Sequence, residues 1–225
     1  MVFKMVDKKV TAITAQKRNP NRVNVFLDGE YSFSLSRIVA AWLEPGSVLN
    51  QQEIDGLVSK DTAEVALQSA LKLIDYRPRA EREVRQKLTK KGFEPEQIEK
   101  VIETLHSSNL IQDEKFAASW VESRNEFHPR SHRLMRYELL AKGIENEQIE
   151  EALKSSAGDR ELAQKAANKM VKRLSKLDWL EFRKKLTAHL MRRGFSFDVI
   201  NPIVRSAWEK MQSETTILEN EEIGK

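Results

Sequence analysis

Three stretches of the chain follow one pattern: LTKKGFEPEQIEKVI (residues 88–102), LLAKGIENEQIEEAL (residues 139–153) and LMRRGFSFDVINPIV (residues 190–204). Their glycines, Gly92, Gly143 and Gly194, are spaced 51 residues apart. Glycine enters the left-handed backbone region at little steric cost, which is why it commonly ends helices. Each copy therefore predicts a helix that stops at the glycine, a sharp turn, and a second helix.

Apolar residues keep the same register around the three glycines. Four and eight positions before each glycine lie Leu88 and Val84, Leu139 and Met135, and Leu190 and Leu186. Such i, i+4 stripes are buried only when helices pack against one another. Asp61, Asp113 and Asp159 precede the first helical run of each copy, where a carboxylate can cap free N–H groups. We predict three-helix units at 61–107, 113–155 and 159–211.

The first 60 residues differ from the rest of the chain. Alternating β-branched and aromatic residues predict strands near 10–18, 23–28 and 31–35. NPNR (residues 19–22) and Asp28-Gly29 supply turn residues, and the latter pair suits a type I′ hairpin turn. A short helix is expected near 37–43, within a β-rich domain at 1–60. The acidic residues 212–225 are expected to form a flexible tail.

The predicted fold class is mainly α. It is an extended, curved array of three tandem three-helix repeats, preceded by a small β-rich N-terminal domain.

Composition argues for a cytoplasmic binding protein and against an enzyme. The chain has no cysteine, which excludes disulfides and cysteine metal sites, and no apolar run long enough for a membrane span. His128 and His132 have i, i+4 spacing, but Pro129 lies between them and no HExxH pattern is present. We expect no catalytic residues, no metal and no cofactor.

Basic residues cluster in two regions and predict contact with an anionic partner. Between Lys165 and Arg193 the chain has ten Lys and Arg against two acidic residues. Contacts of this kind position a phosphate backbone or an acidic protein groove without reading sequence. The candidate contact residues are Arg77, Arg79, Arg82, Arg85 and Lys87 in the first unit, and Lys169, Lys172, Arg173, Lys176, Arg183, Lys184 and Lys185 in the third.

Aromatic residues are assigned mainly to the core. Phe93, Phe116, Phe195 and Trp179 fall at apolar helical positions, and core is favoured over interface for Trp120 and Trp208. No pair of aromatics is expected on a sheet face that could stack bases of a single strand.

The stretch RPRAEREVRQKLTKKGF (residues 77–93), with the downstream LIQDEKFAASWVESR (residues 110–124), resembles the RecX family of regulatory proteins. Two features depart from the family pattern, in which Ala80 is usually serine and Val84 is commonly leucine. The residues that carry the resemblance are Arg77, Arg79, Glu81, Glu83, Leu88, Lys91, Gly92, Phe93, Ile98, Leu105, Leu110, Asp113, Glu114, Phe116, Ala117, Val121 and Arg124, with Leu139, Lys142, Gly143, Ile144, Ile149, Ala152 and Leu153 in the second copy.

The resemblance implies a monomeric arc of three-helix units that lies in the groove of the RecA filament on DNA. It implies inhibition of RecA's ATPase, strand-exchange and co-protease activities, and so control of recombination and the SOS response. Single- or double-stranded DNA is a further candidate partner. The alternative is a sequence-independent DNA-binding protein built from tandem units that resemble helix-turn-helix folds.

Overall fold

The computed structural model describes residues 7–223, with side chains described through Ser213. The chain divides between Ile111 and Gln112 into two compact units. In the described residues the first unit has four strands and three helices, and the second has six helices. The predicted fold class, mainly α with a small β-rich N-terminal domain ahead of three-helix units, is confirmed.

The N-terminal strands form one antiparallel sheet in the order β3-β2-β1-β4. Asp28 and Gly29 have φ values of 51° and 88°, so the β2–β3 turn has the positive φ at both positions that was predicted. The first hairpin turn lies at Lys17-Arg18. NPNR (residues 19–22), which was expected to supply the turn, instead forms the start of β2. The strands are β1 (Lys8–Gln16), β2 (Asn19–Leu27), β3 (Glu30–Ser36) and β4 (Val48–Leu49).

The short helix expected near 37–43 is wrong, since residues 37–42 form successive turns. The Ala40 N–H donates to the Ser36 carbonyl, and the Leu43 N–H donates to the Ala40 carbonyl. Ala40 and Leu43 are buried in the cluster that covers the inner sheet face. A segment this short gains little from helix formation, so burial of these two side chains decides its conformation.

The two faces of the sheet differ. Val23, Val25 and Leu27 of β2 point into the core under residues 40–57. Phe26 points the other way and lies edge-on to Tyr31, with ring centroids 6.0 Å apart. An aromatic pair does therefore lie on this sheet face, and whether it can stack bases of a single strand stays untested. Simple alternation would place Tyr31 on the core side with Leu35, but an irregularity beside Val25 and Phe26 shifts the β2–β3 register.

Helix α1 (Gln51–Tyr76) begins well before the predicted start at Asp61. Its N-cap is Asn50, whose side chain accepts from the Glu53 N–H while the Glu53 carboxylate accepts from the Asn50 N–H. The expected cap at Asp61 is wrong. Asp61 is buried in mid-helix, where it accepts from the β3 backbone at Ser36 N and from Arg22.

Eight further helices complete the three units. The first unit holds α2 (Glu81–Lys90) and α3 (Pro95–Ser107) after α1. The next has α4 (Asp113–Glu126), α5 (His132–Ala141) and α6 (Asn146–Lys154), and the last has α7 (Asp159–Leu174), α8 (Trp179–Met191) and α9 (Phe197–Ile223). The predicted positions of Asp113 and Asp159 before their helices are wrong: they are the first residues of α4 and α7, whose N-caps are Gln112 and Gly158.

All three repeated glycines end a helix as predicted. The φ values of Gly92, Gly143 and Gly194 are 84°, 88° and 85°. The residue after each glycine donates its N–H back to the carbonyl of Leu88, Leu139 or Leu190, in the pattern of a Schellman motif. The glycines are therefore fixed turns between the second and third helix of each unit.

The predicted apolar stripes are buried. Val84, Leu88, Met135, Leu139, Leu186 and Leu190 are all fully shielded from solvent. Phe116 and Phe195 are also core residues, and Phe93 packs partly against the first core. Trp179 departs from its prediction: 38% of it is exposed, and it leans on Trp208 at 5.5 Å between ring centroids.

Helix α9 continues to Ile223, so the backbone of the expected tail is helical as far as that residue. Side chains after Ser213, and residues 224–225, lie outside the described part of the chain. Flexibility of the tail stays a prediction. Within residues 7–223, no helix has both the length and the apolar character needed to cross a bilayer.

Candidate functional site

Arg77 and Arg79 lie at the corner between α1 and α2 and are held by one carboxylate. The Arg77 Nη2 donates to the Glu83 Oε1 at 2.8 Å, and the Arg79 Nη1 lies 3.9 Å from the same oxygen. The Arg79 Nε also donates to the Leu73 carbonyl at 3.3 Å. The other Glu83 oxygen accepts from the Ala80 N–H, which gives α2 a cap although Ala80 has no hydroxyl. Both arginines therefore have a structural role at this corner.

Arg85 is also paired within its own unit. Its guanidinium contacts Glu81 at 2.5 Å and makes two hydrogen bonds to Glu99, at 2.7 and 3.0 Å, which join α2 to α3. The hydrogen bonds from Arg85 lower the pKa of Glu99. Arg136 and Glu150 form the same two-bonded pair between α5 and α6, at 2.7 and 3.0 Å. At the matching positions the third unit has Thr187 and Asn201, which carry no charge.

Of the first basic cluster, Arg82 and Lys87 keep their charge available. Both are exposed, and within the described residues neither forms an ion pair. The predicted contact roles of Arg77, Arg79 and Arg85 stay predictions, and the free charge in this region rests on Arg82 and Lys87.

The basic residues of the third unit are freer. Two of them have internal partners: Lys169 donates to the carbonyls of Glu126 and Phe127 at the end of α4, and Lys185 lies 3.4 Å from Glu181. Lys172 and Arg173 lie in the last turn of α7 and Lys176 lies in the turn that follows it, and all three are exposed. Arg183 and Lys184 are exposed on α8. Among the described side chains, none of these five is placed in an ion pair. We call these five residues the α7–α8 basic face.

Arg192 and Arg193, which were not among the predicted contact residues, add positive charge beside His189 and Arg173. Burial and the nearby Arg193, Arg192 and Arg173 lower the pKa of His189. The Arg193 Nη1 is 3.2 Å from the His189 Nδ1, so the imidazole is neutral and acts as acceptor. Arg192 and Arg193 directly follow the end of α8, where cations offset the negative end of the helix dipole.

The second and third units share a buried contact. The Ser131 N–H donates to the Arg193 carbonyl at 2.9 Å, and the His132 N–H donates to the Asp159 Oδ1 at 2.8 Å. A Cβ on Gly194 would lie 2.5 Å from the Ser131 Oγ, so the backbone at Gly194 approaches the Ser131 side chain too closely for any residue with a Cβ. The His132 ring also takes part in this contact, since its Nε2 lies 2.9 Å from the Ala157 carbonyl.

A charged network lies beside this contact. Glu138 accepts from the Trp120 Nε1 and the Arg124 Nε, each at 2.9 Å, and also contacts Arg130. Arg124 lies over the Trp120 ring at 4.2 Å from its centroid, and Lys142 lies over it at 4.5 Å. Trp120 is thus held by two cations over its ring and by one carboxylate at its Nε1, and these internal contacts stabilise the second helical unit.

The described residues hold no cluster of three or more His, Asp and Glu side chains that could bind a metal ion. What remains is the contact between the second and third helical units and the exposed cations of the α7–α8 basic face. Exposed unpaired cations of this kind create a positive local potential.

Family models of RecX match the chain in consecutive segments. The RecX N-terminal domain matches residues 8–50, and the first, second and third RecX three-helix domains match residues 66–105, 113–153 and 158–204.

Individual relatives agree over most of the chain. Regulatory protein RecX of Bacillus licheniformis is 37% identical over 196 residues, which is 85% of this chain and 74% of the relative. Regulatory protein RecX of Clostridium perfringens is 33% identical over 205 residues, or 88% and 95% of the two chains. A crystal structure of regulatory protein RecX superimposes with a TM-score of 0.64 at 28% identity, covering 87% of this chain and 98% of the other.

Proposed function

The chain belongs to the RecX family of regulatory proteins, and on that premise we propose that it binds RecA recombinase filaments on DNA. In this proposal, binding inhibits the ATPase, strand-exchange and co-protease activities of RecA. The result is control of homologous recombination, DNA repair and the SOS response. The protein acts as a monomer in the cytoplasm, where the chromosomal DNA is.

One observation carries the proposal. The N-terminal domain and all three helical domains of the family match in order between residues 8 and 204, and each helical match falls on helices joined by a glycine turn. A family regulator with every one of these domains has the parts needed for the family's activity. Inhibition requires only binding, so no bond-making residue is invoked.

The α7–α8 basic face is the surface that we propose contacts the filament. Its cations have no internal ion partner in the described structure, so an approaching anionic surface would not have to break existing pairs. Charge patches of this kind raise association rates and favour partners of opposite sign. Weak contacts by several linked units would then add through their high effective concentration.

The proposal is tested by measuring DNA-dependent ATP hydrolysis by RecA as the protein is titrated in. Wild-type protein should slow hydrolysis at substoichiometric ratios. The double variant Lys172→Glu and Lys176→Glu should require about tenfold more protein for the same inhibition, because a local charge patch changes association by this order.

The matched control is Lys60→Glu with Lys115→Glu, which makes the same change of charge at exposed lysines of α1 and α4. This control should inhibit like the wild type, and circular dichroism should show that all variants are folded. If the wild type leaves RecA hydrolysis unchanged at every ratio, the proposed function is wrong. Equal inhibition by both double variants would remove the α7–α8 basic face from the contact.

A second candidate function, sequence-independent DNA binding, is favoured by the same unpaired cations. Lysine and arginine contacts to phosphates give an affinity that falls steeply with salt. A salt titration of binding to naked duplex separates the two functions. Steeply salt-dependent binding to the duplex, with no effect on RecA, would favour the DNA-binding protein over the RecA regulator.

A further inference from the structure

The outward face of the N-terminal sheet carries an aromatic pair that nothing in the described structure covers. Tyr31 is 58% exposed and meets the half-buried Phe26 edge to face across β2 and β3. The core residues occupy the opposite face of the sheet. A large exposed ring on a flat sheet face offers a surface on which a planar group can stack.

The floor beside this pair is polar and already organised. The Ser34 Oγ donates to the Asn24 Oδ1 at 2.9 Å and lies 3.0 Å from the Tyr31 hydroxyl. The Gln16 Nε2 donates to Asn24 and to Ser34, at 2.9 and 3.1 Å. Because these groups satisfy one another, the floor is held in place and can accept different bases equally well.

A groove with a positive lining lies beside the end of β3, at Ser36 and Arg37. It has a volume of about 440 Å³ between the sheet and α1, and it is lined by Arg37 and Lys72 together with Asn19, Asn21, Gln68 and Ser69. Arg37 and Lys72 are exposed, and within the described residues neither has an ion partner. The acid in the lining, Glu64, accepts a hydrogen bond from Gln68. The two free cations give this groove an affinity for phosphate.

The aromatic pair and the groove are linked through Ser34 and Arg22. Tyr31 contacts Ser34 through its hydroxyl, and the Ser34 carbonyl accepts from the Arg22 Nη2 at 3.0 Å. Arg22 lines the groove and is fixed there by Asp61. A strand rises about 3.4 Å per residue, so Tyr31 and Ser36 are roughly 17 Å apart along β3.

We propose that this face binds single-stranded nucleic acid, with a base stacked on Tyr31 and phosphates held by Arg37 and Lys72. Stacking needs only the flat face of a base and the cations need only phosphate, so the site is indifferent to sequence. A duplex keeps its bases stacked inside and cannot offer one to Tyr31. The site is separate from the α7–α8 basic face, and it can be tested without RecA.

The test is fluorescence anisotropy of the full chain with a labelled oligothymidine of about 15 nucleotides, a length typical of single-strand sites. Tyr31→Ala should weaken binding about tenfold, as expected for the loss of one stacked base. Tyr31→Phe keeps the ring and should bind nearly as the wild type does. The control Tyr137→Ala removes a tyrosine of similar exposure on α5 and should have no effect.

The groove is tested by the salt dependence of the same binding. The double variant Arg37→Ser and Lys72→Ser should reduce the slope of log affinity against log salt by about 0.7 for each lost phosphate contact. The control is Lys60→Ser with Lys115→Ser, which removes two lysines outside the groove. Its slope of log affinity against log salt should equal that of the wild type. These exposed substitutions are checked for folding by circular dichroism.

Several results would overturn the site. They are absence of binding to oligothymidine at low salt, equal weakening of duplex binding by Tyr31→Ala, or wild-type affinity for oligothymidine in Tyr31→Ala. Oligouridine has the same ring faces and phosphates, so its binding also supports the proposal. The preferred oligomer then identifies whether DNA or RNA is the natural ligand.

Discussion

Single residues with the same backbone conformation have different roles in this molecule. Gly92 and Gly194 both have φ near 85° and both end a helix. Nothing lies within 4 Å of a Cβ built on Gly92, whereas a Cβ on Gly194 would meet the Ser131 Oγ at 2.5 Å and the Leu134 Cβ at 2.7 Å. Gly92 therefore serves only a turn, while Gly194 serves a turn and the contact between the second and third units.

This difference predicts unequal costs for the same substitution. Gly92→Ala should lower the free energy of unfolding by about 1 kcal/mol, the steric cost of the left-handed region for a residue with a Cβ. Gly194→Ala should cost clearly more, because Ser131 and Leu134 must also move. Urea denaturation of the two variants measures both values, and equal losses would contradict the close packing at Gly194.

His189 predicts a stability change with pH. Its pKa is lowered in the folded state by burial and by Arg193, Arg192 and Arg173, while the unfolded chain has the ordinary value of about 6.5. The unfolded state therefore binds the proton more readily. The stability that His189 contributes is fully present above about pH 6.5 and is lost as pH falls towards its lower folded pKa.

The measurement is urea denaturation of the wild type and His189→Gln between about pH 7.5 and 5.5. The wild type should lose stability over this range, and the variant should lose less. Parallel curves would show that another group controls the response.

At the scale of elements, periodicity and turn chemistry predicted the helical units well. The buried stripes at Leu88, Leu139 and Leu190 follow from i, i+4 spacing, and the helix ends follow from glycine. The misses have two origins, a local signal that was passed over and tertiary contact. Asp61 resembles a helix cap in sequence, but the capping box of Asn50 and Glu53 already starts α1, and Arg22 and the β3 backbone bind Asp61 in mid-helix. A register irregularity likewise turns Tyr31 to the outer face, and the sequence carries no signal of it.

Candidate contact residues were harder to predict than the fold, for the same two reasons. Arg85 looked like part of an unpaired cluster, although Glu81 one helical turn before it could have signalled a pair. Its second partner, Glu99, lies on another helix and could be identified only after α2 and α3 were placed. In the third unit Lys165, Lys169 and Lys185 have internal partners, whereas the cations of the α7–α8 basic face have no ion pair among the described side chains, and their contact role stays a prediction.

Asp61 predicts how strongly α1 is coupled to the sheet. Asp61→Ala would leave Arg22 and the Ser36 N–H without their shared partner, 2.8 and 2.5 Å away in the native structure. Breaking a buried ion pair on one side costs about 3 kcal/mol, so the unfolding free energy of the first unit should fall by this order. Asp55→Ala, an exposed acid of the same helix, is the control, and circular dichroism with urea measures both. A similar small loss in the two variants would argue against the coupling.

At the scale of the whole molecule, the sequence predicted a β-rich start followed by three helical units, and the described structure has them. The extended, curved shape stays a prediction, as do the exact domain limits. The second and third helical units are joined by two hydrogen bonds, one from the buried Ser131 N–H to the Arg193 carbonyl and one from the His132 N–H to Asp159. We therefore expect these two units to open together.

Hydrogen exchange of the full chain tests this expectation. In Gly194→Ala, amides of both α5 and α8 should exchange faster, because the substitution disturbs the contact that both units share. Amides of α2 should be unchanged, since that helix lies in the other compact unit. Faster exchange confined to α8 would mean that the two units open independently.

The three copies differ in how their charges are paired. Arg85–Glu99 and Arg136–Glu150 each sum to zero charge, and Thr187 and Asn201 carry none, so the difference between the copies comes from the unpaired cations of the α7–α8 basic face. The three copies are alike in backbone yet unequal in the field they project. Because unpaired positive charge is concentrated in the third copy, the two ends of the chain are not equivalent. A negatively charged, directional filament would therefore select one of two possible orientations for it.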